Sequence, residues 1–255
     1  MMSPSGFVRL LAGPLVLILW LAPWGSAAGA DTRELPAMMQ RFLERSDEKV
    51  GSYRALRRLE AKNPRYKKHG WLEAWTTLDP AGGFSFTIAG QGGSSYIRDR
   101  VLKKALEREA EAYRRGETNA AALVSANYSF ALDGEPADGL TRIAITARRK
   151  DPLLLNGALF LTSDGADLVR IEGTLARSPS IWTRQVRIVR RYGRVGSVRV
   201  PLAMESIADV LIAGRSTFEM RYEYASINGR TVGQPVPTGG PSGSGPDAAG
   251  GRSPR

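Results

Sequence analysis

From Thr141 to Ser226 the chain alternates apolar and polar residues in six successive runs, each closed by turn chemistry. The runs are TRIAITA, GALFL, DLVRIEGTL, IWTRQVRIVRRY, VGSVRVPLAMESIADVLI and TFEMRYEYAS. In the first, Ile143, Ile145 and Ala147 alternate with Arg142 and Thr146. In the third, Asp167, Val169, Ile171 and Gly173 share a parity, and in the last Phe218, Met220, Tyr222 and Tyr224 oppose Glu219, Arg221 and Glu223. Side chains alternate across a strand, so this period sets one face on a core or cavity and the other in water. The breaks at Ser163-Asp164-Gly165, Arg177-Ser178-Pro179-Ser180, Tyr192-Gly193-Arg194 and Ala213-Gly214-Arg215 are short, which makes neighbouring strands antiparallel. A large antiparallel meander is the expected skeleton.

Three earlier runs extend it: Ser52 to Ala61, where the alternation is imperfect, Trp71 to Leu78, and Phe84, Phe86 and Ile88 alternating with Ser85 and Thr87. Asn63-Pro64 and Asp79 to Gly83 supply their turns, and Asn127 to Leu132 adds one more strand. Asn156-Gly157 follows only three apolar residues, so it reads as a bulge that bends a strand. Pro201 removes a ladder donor and belongs at an edge or bend. Two helices accompany the sheet. Leu35, Met38, Met39, Phe42 and Leu43 form one apolar stripe, with Asp31 and Glu34 as a capping box. Tyr96 to about Arg114 buries Ile97, Val101, Leu102, Ala105 and Leu106 and carries Glu107, Arg108, Glu109 and Glu111 outside. Gly90 to Ser95 reads as a flexible strand-to-helix connection with Ser94 or Ser95 as N-cap, because neither the Walker nor the dinucleotide pattern is present. The fold class is α+β, a curved antiparallel sheet covered by helices.

Composition then removes chemistry. The chain has no cysteine and one histidine, His69, which excludes disulfides, thiolate zinc sites, cysteine nucleophiles and Ser-His-Asp constellations. The remaining catalytic candidates, Glu172, Glu205, Asp209, Ser94 and Ser95, show no catalytic spacing; Glu172 beside Arg170 has the pattern of a cross-strand ion pair. The expected protein is not an enzyme and needs no cofactor or metal. Its net charge of +11 is scattered along strand faces with few aromatics among the basic residues, unlike a nucleic-acid platform. A solvated basic surface with attraction to anionic membrane fits better.

Residues 1–30 read as a signal peptide, with Arg9 in the n-region, Leu10 to Leu21 apolar, and Ala28-Gly29-Ala30 before Asp31. An uncleaved anchor is the alternative, but Gly13, Pro14 and Pro23 leave the apolar core shorter than the ~20 residues of a span. Export places the protein in the periplasm. Residues 31–229 are the expected single domain. Residues 230–255 are a Gly/Pro/Ser-rich tail, disordered by composition.

The blocks SYRALRRLEAKNPRYKKHGWLEAWT, GGSSYIRDRVL, LVRIEGTLARSPSIWTRQVRIVRRYGRVGSVRVPL and FEMRYEYASING resemble the outer-membrane lipoprotein-sorting protein-like family of the LolA/LolB-like superfamily. The resemblance covers most of Arg41 to Gly229 and is carried by hydrophobic alternation, and no cargo-gating residue transfers with it. It implies an incomplete, half-open β-barrel wrapped over helices on its concave side, with an apolar hollow that takes up acyl chains. The absent cysteine matches the soluble carrier type of that superfamily. The implied partner is an acylated lipoprotein or lipid, with transient contact to anionic membrane or an inner-membrane protein. Its expected lining is Phe84, Phe86, Ile88, Val169, Ile171, Phe218, Met220, Tyr222 and Tyr224, with Gly90 to Gly93 as a hinge. The alternative is a periplasmic lipid-sensing or protein-interaction module without transport. Periplasmic regulators of that kind carry a second domain, for which this chain shows no room.

Overall fold

The computed structural model describes residues 36–45, 47–117, 120–233 and 236–237; the leader, the Asp31–Glu34 capping box and the chain after 237 lie outside the described residues. In chain order the elements are α1 (Ala37–Glu44), β1 (Tyr53–Asn63), β2 (Lys68–Asp79), β3 (Gly83–Gly93), the helix α2 over residues 95–115, and β4 (Tyr128–Leu132). There follow β5 (Leu140–Ala147), β6 (Leu155–Thr162), β7 (Leu168–Leu175), β8 (Thr183–Val195), β9 (Val198–Val210) and β10 (Gly214–Ile227). Two short strands, β11 (Arg230–Thr231) and β12 (Val236–Pro237), come last.

All strands join one antiparallel sheet in the order β3-β2-β1-β10-β9-β8-β7-β6-β5-β4, with β11 on β10 and β12 on β8. Every neighbour along that order is consecutive in sequence except β10 and β1. The sheet is thus one meander whose first three strands close onto its last. Its free edges are β3 and β4, and α2 is the connection that passes between them. The barrel is incomplete, as the resemblance implies, and its strands form the meander that the alternation implies.

Cross-strand rows define the inner face. One row runs Leu72, Leu59, Met220, Met204, Arg190, Ile171, Leu159 and Ile143, each the direct partner of the next. All eight are buried. A parallel row holds Phe218, Ser206, Ile188, Gly173, Gly157 and Ile145. There Gly157 and Gly173 face one another, and a Cβ on Gly157 would run into the Glu172 carbonyl oxygen. The bulge expected at Asn156-Gly157 is not there: these residues keep regular register, and two glycine backbones approach closely. The actual bulge sits one turn of the pleat away, between Phe160 and Leu161.

Pro201 sits where a missing donor is tolerated, at an irregularity and a local edge. It lies inside β9, a strand with neighbours on both sides, opposite Tyr192 where the register with β8 shifts. Its missing donor is harmless because pairing of β9 with β10 ends at Ala203–Arg221, so β10 has already peeled away. The Tyr224 hydroxyl donates to the Pro201 carbonyl at 3.0 Å and bridges the divergence.

The helices cover the concave side. α2 consists of Ser95–Ile97, a π-helical turn at Arg98–Leu102, and Lys103–Arg115. The π turn lets Ile97 and Leu102, five apart, share the inward stripe that continues as Ala105, Leu106 and Glu109. Ser94 is the N-cap residue, though its side chain makes no capping hydrogen bond. α1 buries Met39 and Phe42, and the Arg199 guanidinium lies 4.9 Å from the Phe42 ring.

The two ends of the barrel differ. At one end, α1 and the β6–β7 and β8–β9 turns meet in an ion cluster. Asp167 accepts from Arg194 and Arg199, and Asp47 accepts from Arg194 at 2.6 Å, from Arg199 and from Arg45 at 3.0 Å. At the other end the turn at 64–67, the loop at 176–182 and the β9–β10 turn lie side by side. There the Leu211 amide donates to the Trp182 carbonyl at 2.8 Å and the Tyr66 hydroxyl to the Ile212 carbonyl at 3.4 Å.

Candidate functional site

The concave face beneath α2 is where most of the expected lining converges. Phe84, Phe86 and Ile88 of β3 face inward opposite Leu78, Thr76 and Ala74 of β2. Phe84 is buried and stacks on Tyr113 of α2, with centroids 5.6 Å apart and planes 9° from parallel. Phe86 and Ile88 are half-buried. On β10, Phe218, Met220 and Tyr224 are buried, whereas Tyr222 is half-buried and stacks on Tyr224 with centroids 6.0 Å apart. Ile171 is buried on β7, in the same row as Met220 but three strands away.

Val169 does not join them. It is the extra residue of the β6–β7 bulge, so Phe160 pairs with Arg170 and Leu161 with Leu168. The bulge reverses the parity there, and Leu168 takes the core position assigned to Val169. Asp167 likewise does not share a face with Ile171 but serves the ion cluster.

At the centre of the site is a group that the alternation concealed. Arg57 of β1 is 1% exposed, on the inward parity between Ala55 and Leu59. Its guanidinium donates to both oxygens of Glu109 on α2, at 2.6 Å and 3.0 Å, and to the Tyr53 hydroxyl. The Tyr222 and Phe84 rings stack around it, their centroids 4.7 Å and 5.2 Å from the guanidinium carbon. Glu109 is therefore inside, not on the solvent face where helical charge patterning put it; it follows Leu106 by three residues on the same stripe. The pair fastens the covering helix to the sheet floor. Burial pushes the phenols of Tyr53, Tyr113, Tyr222 and Tyr224 above their usual range, so they stand neutral around it.

A second inward cation, Arg190 of β8, is also buried. Its Nη2 approaches the Met204 sulfur at 3.5 Å, and its Nε is buried without a hydrogen-bond partner. The signal for both arginines was in the sequence: each interrupts an apolar parity, Tyr53-Ala55-Arg57-Leu59 in one strand and Val186-Ile188-Arg190-Tyr192 in the other.

The acid/base candidates do not converge. Glu205 pairs with Arg191, Asp209 with Arg215 at 3.6 Å, and Glu172 with Arg170 two residues along the same strand, not across strands. All three carboxylates lie on the outer parity. His69 pairs with Glu60 at 3.0 Å on the surface. Among the described residues no group of His, Cys, Asp or Glu could hold a metal ion. Gly90 to Gly93 is the paired end of β3, opposite Gly70 to Glu73, not a connecting loop. The Trp71 ring lies against Gly92, where a side chain would collide with it.

The barrel end away from α1 is apolar and basic at once. Tyr66, Ile181, Trp182, Leu211 and Ile212 are exposed there, Ile181 by 86%. Arg65, Lys67, Lys68, Arg177, Arg184 and Arg215 surround them. Asp209 is the one acidic side chain in these turns and their flanks.

No protein-family model matches the chain, and no curated protein does. Among solved structures it is similar to a LolA superfamily protein from Nitrosomonas europaea at 11% identity and TM-score 0.35, over 73% of this chain and 90% of that one. A DUF1329 family protein from Desulfovibrio piger is similar at 8% identity and TM-score 0.35, over 73% and 87%. The MucA/MucB complex of Pseudomonas aeruginosa contains a chain similar at 9% identity and TM-score 0.22, over 73% and 92%.

Proposed function

We propose that this protein is a soluble periplasmic carrier that holds the acyl chains of lipoproteins or lipids against the concave face beneath α2. The observation that supports it is incomplete cover: Phe86, Ile88, Tyr192 and Tyr222 pack against the core yet are only partly buried. Apolar groups in that state gain about 0.8 kcal/mol for each methylene they help to bury. Binding of this kind is strong, reversible and free of bond-making, in keeping with Glu172, Glu205 and Asp209 standing apart on the outer parity, each beside an arginine. No helix of the described residues is long and apolar enough to cross a membrane.

Loading takes place at a bilayer surface through the exposed Ile181–Trp182 end. Apolar side chains ringed by unneutralised cations suit the boundary between acyl chains and anionic head groups. The test is native mass spectrometry of protein purified from the periplasm, with organic extraction of whatever it carries. Acyl-chain lipid at near one per protein is the expected result. Protein that is lipid-free after mild purification, and that takes up none on incubation with vesicles, would remove the carrier and leave a lipid-independent interaction module.

A further inference from the structure

We propose that Arg190 is the head-group site of the barrel, binding the carboxylate or phosphate of an amphiphile whose hydrocarbon tail lies along the inner face. The assignment rests on the carrier reading and deepens it.

Arg190 is the one charged residue in the eight-member row from Leu72 to Ile143. Its direct neighbours in that row are Met204 and Ile171, both buried and apolar. Guanidinium stays protonated in any protein environment, so the site carries a full positive charge. Of its donors, Nη2 has only a thioether, a weak acceptor, and Nε has nothing. Glu109, the buried carboxylate of α2, has both oxygens engaged by Arg57. The phenols around it are held neutral by burial, so none supplies a counter-charge. Among the buried charges of the described residues, Arg57 is met by Glu109 and Arg199 by Asp47 and Asp167, whereas no carboxylate meets Arg190.

A structural role does not account for this. A buried ion without a partner is a net cost to the fold, and a methionine would fill the same row without one. The planar fork of guanidinium matches carboxylate and phosphate with two parallel hydrogen bonds, strongest where water is excluded. Met204 and Met220, adjacent in the row, provide the unbranched, adaptable contact that a flexible tail needs beside such a head group. Tyr222 and Tyr192, half-buried beside it, mark the way in.

The experiment uses delipidated full-length mature protein at about pH 8, where carboxylates are ionised. The uncharged fluorophore N-phenyl-1-naphthylamine reports occupancy, and laurate, dodecyl phosphate and dodecanol compete for it. All three share one tail, so differences report the head group. At least one anion is expected to displace the probe about tenfold more tightly than dodecanol. Arg190→Met should abolish that preference while leaving dodecanol affinity intact and the melting temperature equal or higher. Arg190→Lys, which keeps charge but not the fork, should retain part of it. The anion that loses more in Arg190→Met identifies carboxylate or phosphate as the head-group class. Equal binding of all three by the wild type, or a preference that survives Arg190→Met, overturns the assignment while leaving the carrier standing. Inorganic phosphate raising the melting temperature of the wild type as much as dodecyl phosphate does would overturn the amphiphile in favour of a free anion. Displacement by none of the three, dodecanol included, would overturn the carrier and the head-group site together.

Discussion

The two ends of the barrel use the same residue types to opposite effect. At the α1 end, Arg194 and Arg199 meet Asp47 and Asp167, and the aromatic beside them, Phe42, is buried. At the other end, Arg65, Lys67, Lys68, Arg177 and Arg184 stand exposed, and Trp182 and Ile181 lie in solvent. Charge engaged by carboxylates on neighbouring segments holds a seam shut. Charge left in excess beside exposed hydrocarbon holds nothing within the molecule, so its use lies in contact with something else.

The largest effect should come from unbalancing the closed end. Asp167→Ala removes one of the two aspartates that meet Arg199, 8% exposed, and strips Arg194 of two hydrogen bonds. A loss of about 3 kcal/mol is expected, since a partly buried cation then lacks half its compensation. Urea unfolding measures it; a change below about 1 kcal/mol would mean that the cluster is ornamental and the contrast between ends false.

The same cluster predicts a pH effect. Burial by itself would raise the Asp167 carboxyl, but the hydrogen bond from Arg194 and the charges of Arg199, Arg194 and Arg45 outweigh it and hold the group below its usual range. A depressed carboxylate stabilises the fold at pH above its unfolded value, about 3.9, and loses that contribution as pH falls through the folded value. The wild-type melting temperature should therefore drop on acidification below about pH 4, and the gap to Asp167→Asn should narrow there. A gap that stays constant from neutral to acid pH would assign the stability to packing.

The smallest effect on stability, and the clearest on binding, is expected at the open end. Replacing Ile181 and Trp182 together by serine should lower stability by no more than about 1 kcal/mol, because Ile181 is 86% exposed and Trp182 37%. Sedimentation with phosphatidylglycerol vesicles should nevertheless fall severalfold, and wild-type binding should weaken as salt rises. Reversing Arg65 and Lys67 to glutamate should act in the same direction. Vesicle binding indifferent to both pairs would make this end an ordinary surface.

Much of this architecture can be read directly from residue order. Phe218, Met220, Tyr222 and Tyr224 point inward as their alternation requires, and Ile143, Ile145 and Ala147 do the same on β5. What failed were positions where one residue more or less reverses a face. Val169 looks like its neighbours in period two, yet the bulge opposite Phe160–Leu161 moves it out of line. Glu109 looks like any helical surface acid until a buried arginine on β1 lies opposite it. The glycines at 90–93 resemble a loop, and only the pairing with β2 under Trp71 makes them strand.

By itself, then, the order of residues determined that the chain would build one curved antiparallel sheet with two amphipathic covers. Periodicity is local, and short turns leave antiparallel pairing as the sole outcome. Arg57 and Arg190 stand on apolar parities in the residue order, but nothing in it says what they would meet. Tertiary structure alone decided that β1 closes onto β10, which brings Arg57 under Glu109 and gives it an anion. The same closure leaves Arg190 three strands away in the middle of an apolar row. Whether a buried charge is a fastening or a vacancy depends on what distant segments bring within about 4 Å of it, a distance that sequence spacing does not encode.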